Sequence, residues 1–126
     1  MIYGIGHDLV ANYRIENLFD QYGQKLVNKL LTKHEQLLYV NCKTKTKFLA
    51  KRFAAKEAFS KACGTGLCFP ILLKNISILN NSMGKPVFYF EKELQKWLDK
   101  QSITQYHVSL TDEIDYSSAF VILESI

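Results

Sequence analysis

"RFAAKEAFSKACGTG", residues 52–66, decides how this chain reads. Alanines at 54, 55, 58 and 62, with Ala50 just before, put Arg52, Lys56, Glu57 and Lys61 on a strongly helix-forming background. A helix from about Lys47 to Cys63 is expected, with Gly64 placed to stop it. Glu57 and Lys61 are four apart and share a face, which by itself describes an exposed ion pair worth about 0.3–0.5 kcal/mol. So many small side chains also let another body approach closely, and the reading of the site is that they leave room for a ligand beside Glu57 and Lys61.

Upstream, residues 2–10 read as a strand, and period two puts Gly4, Gly6 and Asp8 on one face. Glycine in a strand marks close approach of a ligand or of another backbone. Asp8 therefore either caps a helix packed over the glycines or stands in a cleared space. Asn12–Tyr22 carries Ile15, Leu18, Phe19 and Tyr22 at helical spacing, with Asn12 as the expected cap. Leu26–Leu31 continues as helix, and "TKHE" at 32–35 matches a capping box opening a further one. The basic stretch "CKTKTK" leads into the long helix.

Downstream, "KNISILN" and "PVFYF" read as strands around the turn "NSMGK", "EKELQKWLDK" as a helix, and "QYHVSL" and "SAFVILE" as closing strands joined by "TDEIDYS". The expected fold is α+β and a single domain over residues 1–126. Helices from the first half pack on a small, mainly antiparallel sheet formed by the N-terminal strand and the C-terminal strands.

Composition narrows the function. No apolar run reaches eighteen residues and the start lacks a signal-peptide pattern, so no membrane association and a cytoplasmic location are expected. Cys42, Cys63 and Cys68 have no metal-ligand spacing and suit reduced thiols. The net charge of +4 comes from scattered lysines, a weak pointer to an acidic partner. Seven tyrosines keep a basic nucleic-acid module as an alternative, but lysines and aromatics are not grouped as a stacking platform needs, so no nucleic-acid partner is expected. His107 and Ser109 share a strand face without an orienting third group, which argues against nucleophilic serine chemistry.

Asp8 and Glu57, on two rigid elements, suit a shared hard cation such as Mg²⁺, which usually takes one or two carboxylates and completes its shell with water and phosphate oxygens. The Gly64–Thr65–Gly66 turn allows backbone N–H groups to approach a phosphate, although helix stop is its commoner meaning. Arg52, Lys56 and Lys61 add positive charge there, and "MGKP" at 83–86 offers a second turn with a lysine. A different Mg²⁺-dependent diphosphate chemistry on a nucleotide would use the same groups.

Together, "GIGHDLV" at 4–10, the opening stretch at 52–66, "GKP" at 84–86 and "HVSLTD" at 107–112 resemble the holo-[acyl-carrier-protein] synthase family over nearly the whole chain. The resemblance implies a small, short-form bacterial type of 4′-phosphopantetheinyl transferase, which moves the phosphopantetheine arm of coenzyme A onto a serine of apo acyl carrier protein in support of fatty acid biosynthesis. It further implies Asp8 and Glu57 as magnesium ligands and catalytic residues with Lys61 near the diphosphate. Arg52, Lys56, Gly64, Thr65, Gly66, Lys85, Pro86 and His107 fall in motifs around coenzyme A, and Arg14 matches a basic position that meets the carrier protein. A homotrimer with active sites between subunits is implied in the same way. One departure stands at Asp112, where many relatives carry a second histidine.

Overall fold

The two ends of the chain meet in one sheet. The computed structural model describes residues 1–126. Strand β1 (Ile2–Ala11) pairs antiparallel with β5 (Tyr116–Ser125), which pairs antiparallel with β4 (Ile103–Asp112). Between them run α1 (Asn12–Tyr22), α2 (Gln24–Leu30), α3 (Lys33–Tyr39) and the long α4 (Lys45–Cys63). A separate antiparallel hairpin, β2 (Ile76–Asn80) and β3 (Pro86–Phe90), precedes α5 (Lys92–Lys100). The α+β reading holds, with the hairpin forming a second sheet of its own. No helix is long and apolar enough to cross a membrane.

The alanines of α4 find their partner in β1. Ala50, Ala54, Ala55 and Ala58 are fully buried and Ala62 nearly so. A Cβ added at Gly6 would lie 1.8 Å from the Ala58 carbonyl oxygen, and one at Gly4 2.0 Å from that of Ala62. Helix and strand backbones are therefore in direct contact, and only glycine fits beneath them. This corrects the expectation that the alanines clear room for a ligand: the room is filled by β1.

Local signals hold in most places. Thr32 and Glu35 form the expected capping box, and Gly64 ends α4 in a left-handed conformation, φ 79°. Asn12 differs. Ala11 precedes the helix without a side-chain cap, while the buried Asn12 amide donates to the carbonyls of Glu113 and Ile114 at 3.1 Å and accepts from Ser117 Oγ at 2.7 Å. Its job is to fasten α1 to the β4–β5 turn.

The other face of the sheet is open. Ile5 and Leu9 of β1 are 59% and 58% exposed, Phe120 of β5 is 40% exposed, and His7 lies between them with its Nε2 2.8 Å from Ser118 Oγ. Such apolar surface on one face is what a sheet shows when a further layer is to cover it.

Candidate active site

Asp8 reaches the edge of the α4–β1 contact because the period-two face of β1 that carries Gly4 and Gly6 also carries it. Glu57 and Lys61 stand on α4 one turn apart. The ion pair expected within the helix is not formed. Lys61 crosses to the strand, its ammonium donating to Asp8 Oδ1 and to the His7 carbonyl, both at 3.1 Å. Glu57 is half-buried, and burial raises its carboxyl above the usual range; the Asp8 charge pushes the same way and Lys61 opposes both.

Two carboxylates that repel one another form the kind of donor set a divalent cation relieves. No third carboxylate, histidine or cysteine joins them. That suits Mg²⁺ with a shell filled by water and substrate phosphate, and does not suit a metal needing three or four protein ligands.

Beyond this cluster the sequence-named residues fall into separate groups. Lys85, Pro86 and His107 line a recess of about 220 Å³ with Ser109, Phe120 and Ile122. His107 Nε2 lies 3.2 Å from Glu124 Oε2. This recess lies over β4 and β5 on the open face of the sheet, whereas Asp8 stands on β1 and faces α4.

Gly64, Thr65 and Gly66 are exposed beyond the α4 C-terminus. The Gly64 N–H donates to the Lys61 carbonyl at 3.0 Å and the Gly66 N–H to that of Ser60 at 3.3 Å. Both close the helix, so any phosphate contact of this turn falls to its remaining exposed surface.

Arg14 is exposed on α1 and borders an apolar recess floored by Ile15, Leu18, Leu26, Leu30 and Phe53. The recess runs into a wider groove of about 520 Å³ rimmed by Lys25 and Lys29. Sequence reasoning passed over these two lysines, although their four-residue spacing on one helix was visible.

Two named residues lie inside the protein. The Lys56 side chain is fully buried, with its ammonium bonded to Glu35 Oε1 at 2.6 Å and to the Leu30 and Leu73 carbonyls at 2.7 and 3.1 Å. Its expected coenzyme contact is corrected: all three donors are used and nothing reaches solvent. Arg52 is 4% exposed, stacks on the Phe48 ring at 3.9 Å and donates to the Ile78 carbonyl at 3.2 Å. It still borders a recess of about 410 Å³ with Lys51, Gly84 and Pro86. Asp112 is held by Lys51 at 2.8 Å and Lys47 at 3.7 Å, and the Lys51 hydrogen bond keeps its carboxyl below the usual range.

With this geometry in place, the comparison with known proteins is direct. The family model of the 4′-phosphopantetheinyl transferase superfamily matches residues 4–114. The chain belongs to that superfamily. The holo-[acyl-carrier-protein] synthase of Nitrosomonas europaea is 47% identical over 98% of this chain and 99% of its own length. The crystal structure of the Neisseria meningitidis synthase superposes with a TM-score of 0.97 at 43% identity, covering 99% of this chain and 100% of that one. The Bacillus anthracis synthase, solved in complex with coenzyme A (3′,5′-ADP), superposes at 0.84 with 34% identity, covering 100% of this chain and 99% of that one. This phosphopantetheinyl transferase thus shares fold and full length with its relatives. Its Asp8–Lys61 contact closes the one cluster of acidic and basic groups that β1 and α4 build together.

Proposed function

We propose that this transferase moves 4′-phosphopantetheine from coenzyme A to a serine of apo acyl carrier protein, releasing adenosine 3′,5′-bisphosphate, with Mg²⁺ and in support of fatty acid biosynthesis. Residues 1–126 act as one catalytic domain. The observation that carries the reading is the Asp8–Glu57–Lys61 cluster in a chain similar end to end to holo-[acyl-carrier-protein] synthases.

In the reaction the serine oxygen bonds to the β-phosphorus, and the bond from that phosphorus to the bridging oxygen breaks with its electron pair. Asp8 and Glu57 would hold the Mg²⁺, which supplies charge neutralisation on the diphosphate when bound. Lys61 offsets the charge that grows on the leaving phosphate. The serine proton would go to Glu57 itself or to a water held beside it on the cation.

Other features support the partners. Lys25, Lys29 and Arg14 around an apolar groove match an acidic carrier protein with an exposed apolar strip. The Lys85–Pro86–His107 recess and the Asp8 cluster sit on opposite faces of the sheet, and the apolar face Ile5–Leu9–Phe120 is open. A homotrimer that covers this face and joins one subunit's recess to the next subunit's carboxylates accounts for both.

The test is mass spectrometry of apo acyl carrier protein incubated with the transferase, coenzyme A and Mg²⁺. A gain on the order of 340 Da, the phosphopantetheine group, is expected. No gain across several carriers sinks the reading, and free phosphopantetheine instead of modified carrier would favour hydrolysis of the diphosphate.

A further inference from the structure

The free edge of β2 is covered by side chains instead of by a strand. Ile78 faces Phe88 across the hairpin, yet its N–H donates to Glu35 Oε2 at 2.9 Å and its carbonyl accepts from Arg52 Nη2 at 3.2 Å. Exposed edge groups of this kind normally pair with another strand or with water. Here a carboxylate from α3 and a guanidinium from α4 take that place.

Glu35 is fully buried, and besides capping its own helix it joins α3 to α4 and to β2. Its Oε1 accepts from Lys56 Nζ at 2.6 Å and from the Thr32 N–H at 2.9 Å. Thr32 Oγ1 in turn lies 2.6 Å from Ser77 Oγ of β2. The Lys56 ammonium extends the set to the Leu30 carbonyl at the end of α2 and the Leu73 carbonyl just before β2. The hairpin is thus fastened to α4 through one buried carboxylate, one ammonium and one guanidinium.

A buried ion pair is weak support for stability, since apolar residues of similar volume often serve as well. Apolar residues cannot fix Ile78 in register with α4, because register depends on the direction of its N–H and C=O bonds. The far end of the same hairpin, where β3 begins, carries Lys85 and Pro86. A shift of β2 along α4 would carry those two residues with it.

We propose that Glu35, with Lys56 as its counter-charge, is a positioning residue for coenzyme A: it holds β2 in register on α4 and so sets the Lys85–Pro86 end of the hairpin. This rests on the function proposed above, in which that end faces the coenzyme. Neither residue touches the substrate, and the effect appears in coenzyme binding ahead of turnover.

The experiment compares wild type, Glu35→Gln and the double variant Glu35→Met/Lys56→Met, each checked for fold by circular dichroism and melting. Kinetics are taken against coenzyme A at saturating carrier protein and against carrier at saturating coenzyme. In a folded variant the KM for coenzyme A rises roughly 10-fold while kcat and the KM for carrier stay within about two-fold, the pattern of lost uniform binding to one substrate. An unchanged KM for coenzyme A, or equal rises for both substrates, overturns the proposal. Loss of fold in both variants assigns the pair to stability alone and overturns it too. Wild type that transfers nothing would instead sink the functional reading itself.

Discussion

The Lys61 ammonium lies 3.1 Å from Asp8 on the neighbouring strand and makes no ion pair with Glu57, one turn back on its own helix. Asp8 is thereby neutralised in place, and Glu57 keeps a raised carboxyl pKa. A folded-state pKa raised above the unfolded value means that the ionised carboxylate opposes folding as pH climbs through and beyond the ordinary carboxylate range. Glu57→Gln removes that penalty. The variant should melt at a higher temperature than wild type at pH 7 without Mg²⁺, with the gap closing near pH 4, and should transfer no detectable phosphopantetheine. Calorimetry across pH and the mass assay check both halves.

Lys61→Met should lower kcat about 10²–10³-fold, the range for losing one preorganised electrostatic contact to developing charge. Because Lys61 draws the Glu57 carboxyl down, that carboxyl should titrate at higher pH in the variant than in wild type when Mg²⁺ is absent. An unchanged Glu57 titration by NMR without Mg²⁺ would show that the two groups are not coupled.

Gly6→Ala tests the α4–β1 contact. The added Cβ would stand 1.8 Å from the Ala58 carbonyl, so backbone must separate. A loss of about 3 kcal/mol or more is expected, at the upper end for overpacking. Thermal melting should show it as a fall of roughly 10 °C or more. Gly23→Ala makes no clash, with nothing within 4 Å of its Cβ, but its φ of 55° means that the variant reports backbone strain alone, for comparison with the clash at Gly6.

The proposed trimer, with its sites between subunits, predicts rescue. Asp8→Ala and His107→Ala each disable a different half of the proposed site, and those halves sit on opposite faces of the sheet. Refolding the two inactive variants together should restore a fraction of wild-type transfer through mixed trimers. Phe120→Glu, on the open apolar face, should yield smaller species by light scattering and no rescue.

Asp112→Asn probes the ion pairs that tie the end of β4 to α4. Its carboxyl is held low by Lys51, so its contribution to stability is present above the ordinary carboxylate pKa and disappears as pH falls through the depressed folded value. With the side chain 29% exposed, the loss at pH 7 should be about 0.5–1 kcal/mol, shrinking in 1 M salt and vanishing in acid. Denaturant melts at two salt concentrations and two pH values measure it.

Much of this was legible in the residues. The capping box at Thr32–Glu35, the helix stop at Gly64 and the strand glycines followed from local rules, because each depends on neighbours within a turn or a pleat. What local rules could not settle was which body the small residues admit. Glycine beside Asp8 and alanine beside Glu57 are one contact seen from two sides, and Gly6 and Ala58 stand 52 positions apart in the chain. Lys56 was misplaced for a related reason. A lysine next to a candidate ligand looks like part of the site, but helix geometry turns successive side chains about 100° apart. It therefore points into the core toward Glu35, a residue no spacing rule connects to it. Asn12 was misread as a cap because its partners, Glu113 and Ile114, lie at the other end of the sequence.

The bare contact between β1 and α4 acts as a gauge block. Carbonyl oxygens of Ala58 and Ala62 rest on glycine backbone, with no intervening rotamer to flex, so the backbone spacing of β1 and α4 beside Asp8 and Glu57 is fixed. In the proposed site, adaptation to a different diphosphate is left to the Asp8 and Glu57 side-chain rotamers, because the backbones that carry them cannot shift apart or together. Breadth toward new carriers or altered coenzymes must be engineered at the α1–α2 groove, the β2–β3 hairpin or the outer sheet face, and directed evolution of this scaffold should gather its changes there.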